Sequence, residues 1–221
     1  MIPLRDIIPS RSTPYVTVVI IIINAIAWFY EISMPERTLQ QFLSVYGVVP
    51  ARFEMSTLVT SMFLHGSWSH FIGNMWYLWI FGDNVEDRVG HGRFIAFYLL
   101  CGVVAALGHV AMDPASTLPT IGASGAIAGV MGGYFVLYPQ SRVLTLIPLV
   151  FYVEIIELPA VLLLGFWFVM QLFNAGVIAV TSNSSSGGIA FVAHVAGFVA
   201  GLAGVFLFRK RARTAEWWAE Q

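Results

Sequence analysis

The chain has 221 residues, of which 58% are hydrophobic and only 10% charged, with a formal net charge of −1 at pH 7; an ordinary soluble domain carries about 25% charged residues. That composition excludes water as the main solvent, and the scatter of Lys and Arg, clustered only at the extreme C-terminus, excludes a nucleic-acid-binding face. The single cysteine, Cys101, excludes an intramolecular disulfide and a cysteine-based metal site.

What remains is a polytopic helical membrane protein, because several apolar stretches approach the roughly 20 residues an α-helix needs to cross the hydrocarbon core. One bundle uses the whole length, so residues 1–221 read as a single domain. The first span covers about 14–33; it is long, lacks a small-residue cleavage pattern and is followed by further spans, so it reads as a retained helix rather than a signal peptide. From Ile32 to Gly66 runs a mixed stretch too long for a turn, a candidate functional or interfacial loop in which Pro35 and Pro50 preclude one continuous helix. The second and third spans are placed at about 67–83 and 93–112, and the fourth, the least hydrophobic, at about 122–139. Ser141 to Leu158 is apolar but interrupted by Pro148, Glu154 and Glu157, which points to an interfacial or loop segment rather than a seventh span. The fifth and sixth spans follow at about 159–180 and 188–208. The sequence shows no internal repeat and no low-complexity tract.

Orientation follows from positive charge, which cytoplasmic segments retain. With the N-terminus inside, the inner segments hold Arg5, Arg11, Arg88, Arg93, Arg142, Arg209, Lys210, Arg211 and Arg213, and the outer loops hold only Arg37 and Arg52. Six spans return the C-terminus to the cytoplasm.

Polar and ionisable side chains within spans are costly and mark function by default. The second span carries His65 near its outer end and then His70 and Asn74, four apart on one helix face. The fourth span opens with Gly122-Ala123-Ser124-Gly125, and the sixth contains Ala193-His194 followed by Gly197 and Gly201. All three spans enter from the outer side with their polar residues in the first turns, which puts His70, Asn74, Ser124 and His194 at one shallow depth. Glycines at four-residue spacing allow close backbone approach, and the fourth span carries Gly125, Gly129, Gly132 and Gly133 and the sixth Gly197, Gly201 and Gly204. Such packing brings a Ser124 hydroxyl to a His194 imidazole, the contact a serine nucleophile needs. Peptide hydrolysis also asks for oxyanion donors, here the Ser124 N–H with the side chains of His70 and Asn74. No carboxylate is available to orient His194, so a dyad is expected.

Taken together, the Gly122-Ala123-Ser124-Gly125 motif, Ala193-His194 with Gly197 and Gly201, and the His65, His70, Asn74 spacing resemble the rhomboid proteases over all six spans. The resemblance implies an all-α, six-transmembrane-helix rhomboid bundle with a water-filled site open to the outer side, no cofactor and no metal, and single-pass membrane proteins as substrates within the lipid bilayer. It also implies a first loop lying partly in the membrane and a structural role for Glu86. Two positions depart from the pattern: Ala128 stands where some members place an aromatic residue against the catalytic histidine, and Ser56 and Thr57 stand near a Trp-Arg pair. Something other than residue 128 must therefore orient His194. His65 reads as a structural hydrogen-bonder near the cavity, His91 and His109 as bystanders, and Gln171 and Asn174 as interhelical hydrogen bonders or gate-lining residues. Two further readings stay open: a non-catalytic rhomboid-like protein that binds membrane clients, disfavoured by the presence of both Ser124 and His194, and a transporter, disfavoured by the shallow polar layer and the lack of repeats. The short soluble parts favour a prokaryotic plasma membrane.

Overall fold

A computed structural model describes residues 1–148, 152–181 and 188–209. Six long helices lie where the apolar runs predict them: α1 (Tyr15–Ile32), α4 (Trp68–Val89), α5 (His91–Met112), α6 (Ser124–Leu137), α7 (Ala160–Thr181) and α8 (Gly188–Phe208). Four of these, α1, α5, α7 and α8, are long and apolar enough to cross a membrane. Helix α6 has only 14 residues, and α4 ends in the charged run Asp83, Glu86, Asp87 and Arg88.

Helix α6 is the axis of the fold. Apart from Ser124 and the half-buried Phe135 and Val136, its residues are buried, and α4, α5, α7 and α8 all pack on it. A helix shielded on every side presents no lipid face, so a hydrocarbon-matched length is not imposed on it. Its glycines set how closely α8 lies: a methyl group added at Gly197 would strike the Gly125 carbonyl oxygen, and one at Gly201 would strike the Gly129 carbonyl oxygen. Backbone therefore meets backbone along this seam, the close approach that small residues permit when no hydrophobic force separates helix from lipid.

The long first loop holds two short helices, α2 (Glu36–Tyr46) and α3 (Thr57–Thr60). Pro35 occupies the N-cap of α2, where its fixed φ and missing N–H cost nothing, and Pro50 opens a 3-10 turn, so the two prolines divide the segment as predicted. The loop is tied to the segment before α6 by paired main-chain bonds between Val48 and Thr120 and by Ala51 N–H donating to Ser116 O at 2.9 Å.

The 141–158 segment corrects the sequence reading. It is no seventh spanning helix, as expected, but in place of a loop it forms a β-hairpin, β2 (Arg142–Pro148) and β3 (Val153–Pro159), and β1 (Ile2–Asp6) pairs antiparallel with the other edge of β2. The architecture is thus a helical bundle with a three-stranded sheet, not all-α. Val143 and Thr145 point inward and are fully buried while Arg142 is exposed, the period-two pattern of a half-buried strand. One partner of β2, the β3 strand, follows it directly, but the other, β1, is about 140 residues away in sequence, which is why no local signal announced that pairing.

This sheet is anchored to the bundle through polar groups. Asp6 accepts hydrogen bonds from Asn84 Nδ2 of α4 and Tyr134 Oη of α6, both at 2.7 Å, and Pro3 O accepts from Trp76 Nε1 at 2.7 Å. Glu86, fully buried, accepts from Val16 N–H at 2.9 Å and from Thr17 N–H and Oγ1–H, each at 2.7 Å, so that one α4 carboxylate caps the start of α1. His91 Nδ1 lies 2.5 Å from the same carboxylate, which gives that histidine a structural part.

Two outcomes follow. Glu86→Ala strands the N–H groups of Val16 and Thr17 in the interior and is expected to lower unfolding free energy in micelles by on the order of 3 kcal/mol, read by SDS or thermal unfolding. Burial, reinforced by the nearby Asp83 charge and opposed by the Tyr134 hydroxyl bond, pushes the Asp6 carboxyl up to about 7. The unfolded value is 3.8, so the folded state holds this proton more tightly; the stability it contributes is complete below the unfolded value and lost as pH rises through about 7. The unfolding temperature should therefore fall between about pH 4 and about pH 7, and Asp6→Asn should flatten that fall.

Candidate active site

Ser124 begins α6 directly after Gly122 and Ala123. The Gly122 N–H donates to Ser61 O at 2.8 Å, which pins the chain before the helix to the first loop. Gly122 itself has φ +126°, a conformation L side chains rarely adopt, and a methyl group there would sit 2.7 Å from His70 Cε1 and Nε2 and 3.7 Å from Ser124 Oγ. Only glycine lets the His70 ring approach the serine across this turn. Ala123 provides no side-chain cap, so N–H groups in the first turn of α6 point outward without an intrahelical acceptor.

His194 lies in the second turn of α8, whose seam with α6 holds it opposite Ser124. Ser124 Oγ and His194 Nε2 are 2.8 Å apart. The other ring nitrogen, Nδ1, lies 2.9 Å from Gln171 Oε1 of α7, and the Trp167 ring sits with its centroid 5.8 Å from the imidazole at 37°. Ala128, one turn into α6 from the serine, is buried and offers no ring.

A cavity of about 400 Å³ opens over the pair, lined on the α4 side by His70, Gly73, Asn74 and Tyr77 and on the far side by Ser124, Trp167 and His194. Its volume falls within the range typical of small-molecule and peptide sites. Asn74 is 7% exposed, and its buried Nδ2 has no hydrogen-bond acceptor in the protein. A buried amide donor left unpaired costs free energy, and lining the cavity it is available to an oxygen that enters. The Ser67 hydroxyl caps α4 by accepting from His70 N–H at 3.2 Å, which sets the register of that helix start.

His70, Asn74, Ser124 and His194 thus meet at one cavity. Gly125, Gly197 and Gly201 lie in the α6 to α8 contact beneath them. His65 does not line the cavity: it is buried behind it, its ring edge-on to His70 at 5.1 Å and to Phe71 at 5.4 Å, and its main-chain N–H donates to Glu31 Oε2 at 3.0 Å. Both ring nitrogens of His65 lack a protein partner, so its hydrogen bond is made by the backbone and not by the imidazole. Burial, with the neighbouring His70 contributing, pushes the His65 imidazole down to about 3. His109 is buried at the end of α5, its Nε2 2.7 Å from Thr120 Oγ1, and Asn174 Nδ2 donates to Met170 O within its own helix. Trp167 and Gln171 are the site residues the sequence reading passed over or left undecided. Their signal was spacing: four apart, they share the face of the fifth span that meets the sixth. Among the described residues no three of His, Cys, Asp and Glu gather as a metal site requires.

The arrangement can activate a hydroxyl and stabilise an oxyanion beside it. Gly122→Ala is expected to leave the helices folded, by circular dichroism, while reducing fluorophosphonate labelling of Ser124 by at least about 100-fold, a loss typical of a misplaced reacting group.

Comparison with known proteins agrees with the motifs. The Rhomboid domain model matches residues 52–211. Among curated relatives, the chain is 32% identical over 110 residues to the rhomboid protease GluP of Bacillus subtilis, covering 50% of this chain and 21% of that protein. It is 32% identical over 114 residues to the chloroplastic rhomboid-like protein 11 of Arabidopsis thaliana (48% and 39%), and 29% identical over 126 residues to the rhomboid-like protease 3 of Toxoplasma gondii (56% and 47%). The match spans less than half the length of each of these relatives.

Proposed function

The chain belongs to the rhomboid family of integral membrane proteins, and from that premise we propose that it is a serine endopeptidase that hydrolyses peptide bonds in or near the transmembrane segments of other membrane proteins. The observation that carries this reading is the 2.8 Å contact between Ser124 Oγ and His194 Nε2 at a cavity that also presents an unpaired Asn74 amide donor.

The chemistry runs through two half-reactions. His194 Nε2 takes the Ser124 Oγ proton as the oxygen bonds to the scissile carbonyl carbon, and the carbonyl oxygen becomes an oxyanion. The Ser124 N–H and the side chains of His70 and Asn74 surround that oxygen. Collapse of the adduct breaks the carbon–nitrogen bond, and His194 returns the proton to the leaving amine. Water then repeats the sequence against the acyl ester, with His194 as base, releasing the acid and restoring the hydroxyl. In this reading Ser124 and His194 form the catalytic pair, and Gly122, Gly125, Gly197 and Gly201 set their approach.

All six long helices cross the bilayer in this reading, α6 and α4 sheltered by the others. Both termini face the cytoplasm, because Arg5, Arg11, Arg88, Arg93, Arg142 and Arg209 all border helix ends opposite the cavity. Substrates are single-pass membrane proteins that reach the cavity near the outer face, and the membrane is a prokaryotic plasma membrane. A peptide bond must leave its helix to enter such a site, so substrates with Gly or Pro near the cut are favoured, since these weaken a helix by about 1 to 3 kcal/mol.

The protein in detergent is expected to cleave a fluorogenic single-pass peptide, with Ser124→Ala and His194→Ala each inactive and Asn74→Ala slower by about 100- to 1,000-fold in kcat. Equal turnover by wild type and both alanine variants would end the protease reading. Peptide binding without cleavage in all three would favour a client-binding rhomboid-like protein instead.

A further inference from the structure

A serine nucleophile can pass its proton only to a histidine whose facing nitrogen is bare. His194 presents Nε2 to Ser124 Oγ, so catalysis needs the neutral ring proton on Nδ1. Which nitrogen of an imidazole carries the proton is set by the hydrogen bond the other one makes. The groups that face His194 are therefore decisive. From α4 comes His70, from α6 Ser124, from α7 Trp167 and Gln171, and from its own helix Phe191. Among these, only Gln171 meets Nδ1, through Oε1 at 2.9 Å.

From this we infer that Gln171 is a positioning residue that fixes the His194 tautomer and ring plane, taking the orienting part that a carboxylate plays in a Ser-His-Asp triad. The inference rests on the protease reading above. An amide oxygen accepts from Nδ1–H and leaves the Nε2 lone pair for the Ser124 hydroxyl. The opposite amide orientation would present Nε2–H₂ of the glutamine, demand a bare Nδ1 and put a proton between His194 and the serine. Gln171 is 8% exposed, in a helix whose other faces carry the exposed Phe166, Val169, Leu172 and Phe173. In that apolar setting a neutral acceptor supplies direction without burying a charge. One turn earlier, Trp167 packs on the imidazole and also on Phe198, so α7 holds both the edge and the face of the ring. Residue 128 has no part in this, and α7 supplies what Ala128 cannot.

Two substitutions of similar size test the assignment in the full-length protein in micelles. Gln171→Met removes the acceptor, and Gln171→Glu keeps acceptors while adding charge. Gln171→Met is expected to lower both kcat on the fluorogenic peptide and the rate of fluorophosphonate labelling by about 10- to 100-fold, with KM changed less than about twofold. Gln171→Glu is expected to stay within about tenfold of wild type while the acidic limb of its activity profile moves to higher pH, because a carboxylate at Nδ1 favours the imidazolium. In ¹⁵N spectra of labelled histidine, with the His194 signal identified by its loss in His194→Ala, wild type should show a bare Nε2 and a protonated Nδ1, and Gln171→Met a mixture. If Gln171→Met does not fold, the wild-type tautomer and the Gln171→Glu profile decide. Wild-type labelling rates and an unchanged tautomer in Gln171→Met would overturn the inference and leave the protease reading standing. A wild type that neither labels nor cleaves would sink the protease reading, while a protonated Nε2 in the spectra would overturn the tautomer assignment itself.

Discussion

The contact on which everything else depends is the backbone seam between α6 and α8. Within a bilayer, helix association gains little from hiding apolar surface, because lipid is as apolar as leucine; close packing and a few interhelical hydrogen bonds must supply the attraction. Gly125 and Gly129 facing Gly197 and Gly201 allow carbonyl oxygens to approach α-carbons directly. One consequence is structural, since α6 becomes a buried axis. The other is chemical: at this separation a serine at the head of one helix and a histidine in the second turn of the next stand in hydrogen-bond contact without either side chain having to reach. Larger residues on the seam would separate the two groups.

Around this seam the polar groups divide into those that are satisfied and those that are left open. Glu86 is surrounded by donors from the start of α1, and Asp6, Asn84, Tyr134 and Tyr138 tie the sheet to the ends of α4 and α6 away from the cavity. These groups are saturated and anchor the fold. At the cavity the opposite holds, with an Asn74 donor unpaired and the first-turn N–H groups of α6 uncapped. Donors left open beside the Ser124 hydroxyl are what a developing negative charge would require, and preorganised donors of this kind are commonly the largest single contribution to acyl-transfer rates.

The first loop and the α5 to α6 connection form one unit over this region. Main-chain bonds between Val48 and Thr120 and from Gly122 N–H to Ser61 O hold the glycine turn against the loop, and the turn in turn sets where the serine emerges. Glu31 at the end of α1 reaches His65 in the same loop, which carries the constraint back into the bundle. Loop, turn and helix start therefore act together in aiming Ser124, although no side chain of the first loop lines the cavity.

Much of this was legible in the order of residues. Hydrophobic runs placed the six long helices to within a few residues at most ends, and the early positions of His70, Asn74, Ser124 and His194 in their helices were the cue that they meet at one cavity. The glycine spacing foretold the tight pair, because small residues at every fourth position form one stripe on a helix whatever its partner. Three features escaped. The β1 edge of the sheet depends on pairing across about 140 residues, and the β2–β3 hairpin, though local, escaped because a short apolar run interrupted by Pro148 and two glutamates reads equally as loop or strand until its partner is known. The φ of Gly122 is a property of the turn against His70, not of the motif. The contact of Gln171 with His194 depends on the rotation of α7 against α8, which periodicity narrows to a face but not to a partner. Sequence alone determined which residues are apolar, small or able to carry a proton, since those are properties of each side chain. Which of them touch was decided by helix rotation and strand register, where the interactions act between segments far apart in the chain.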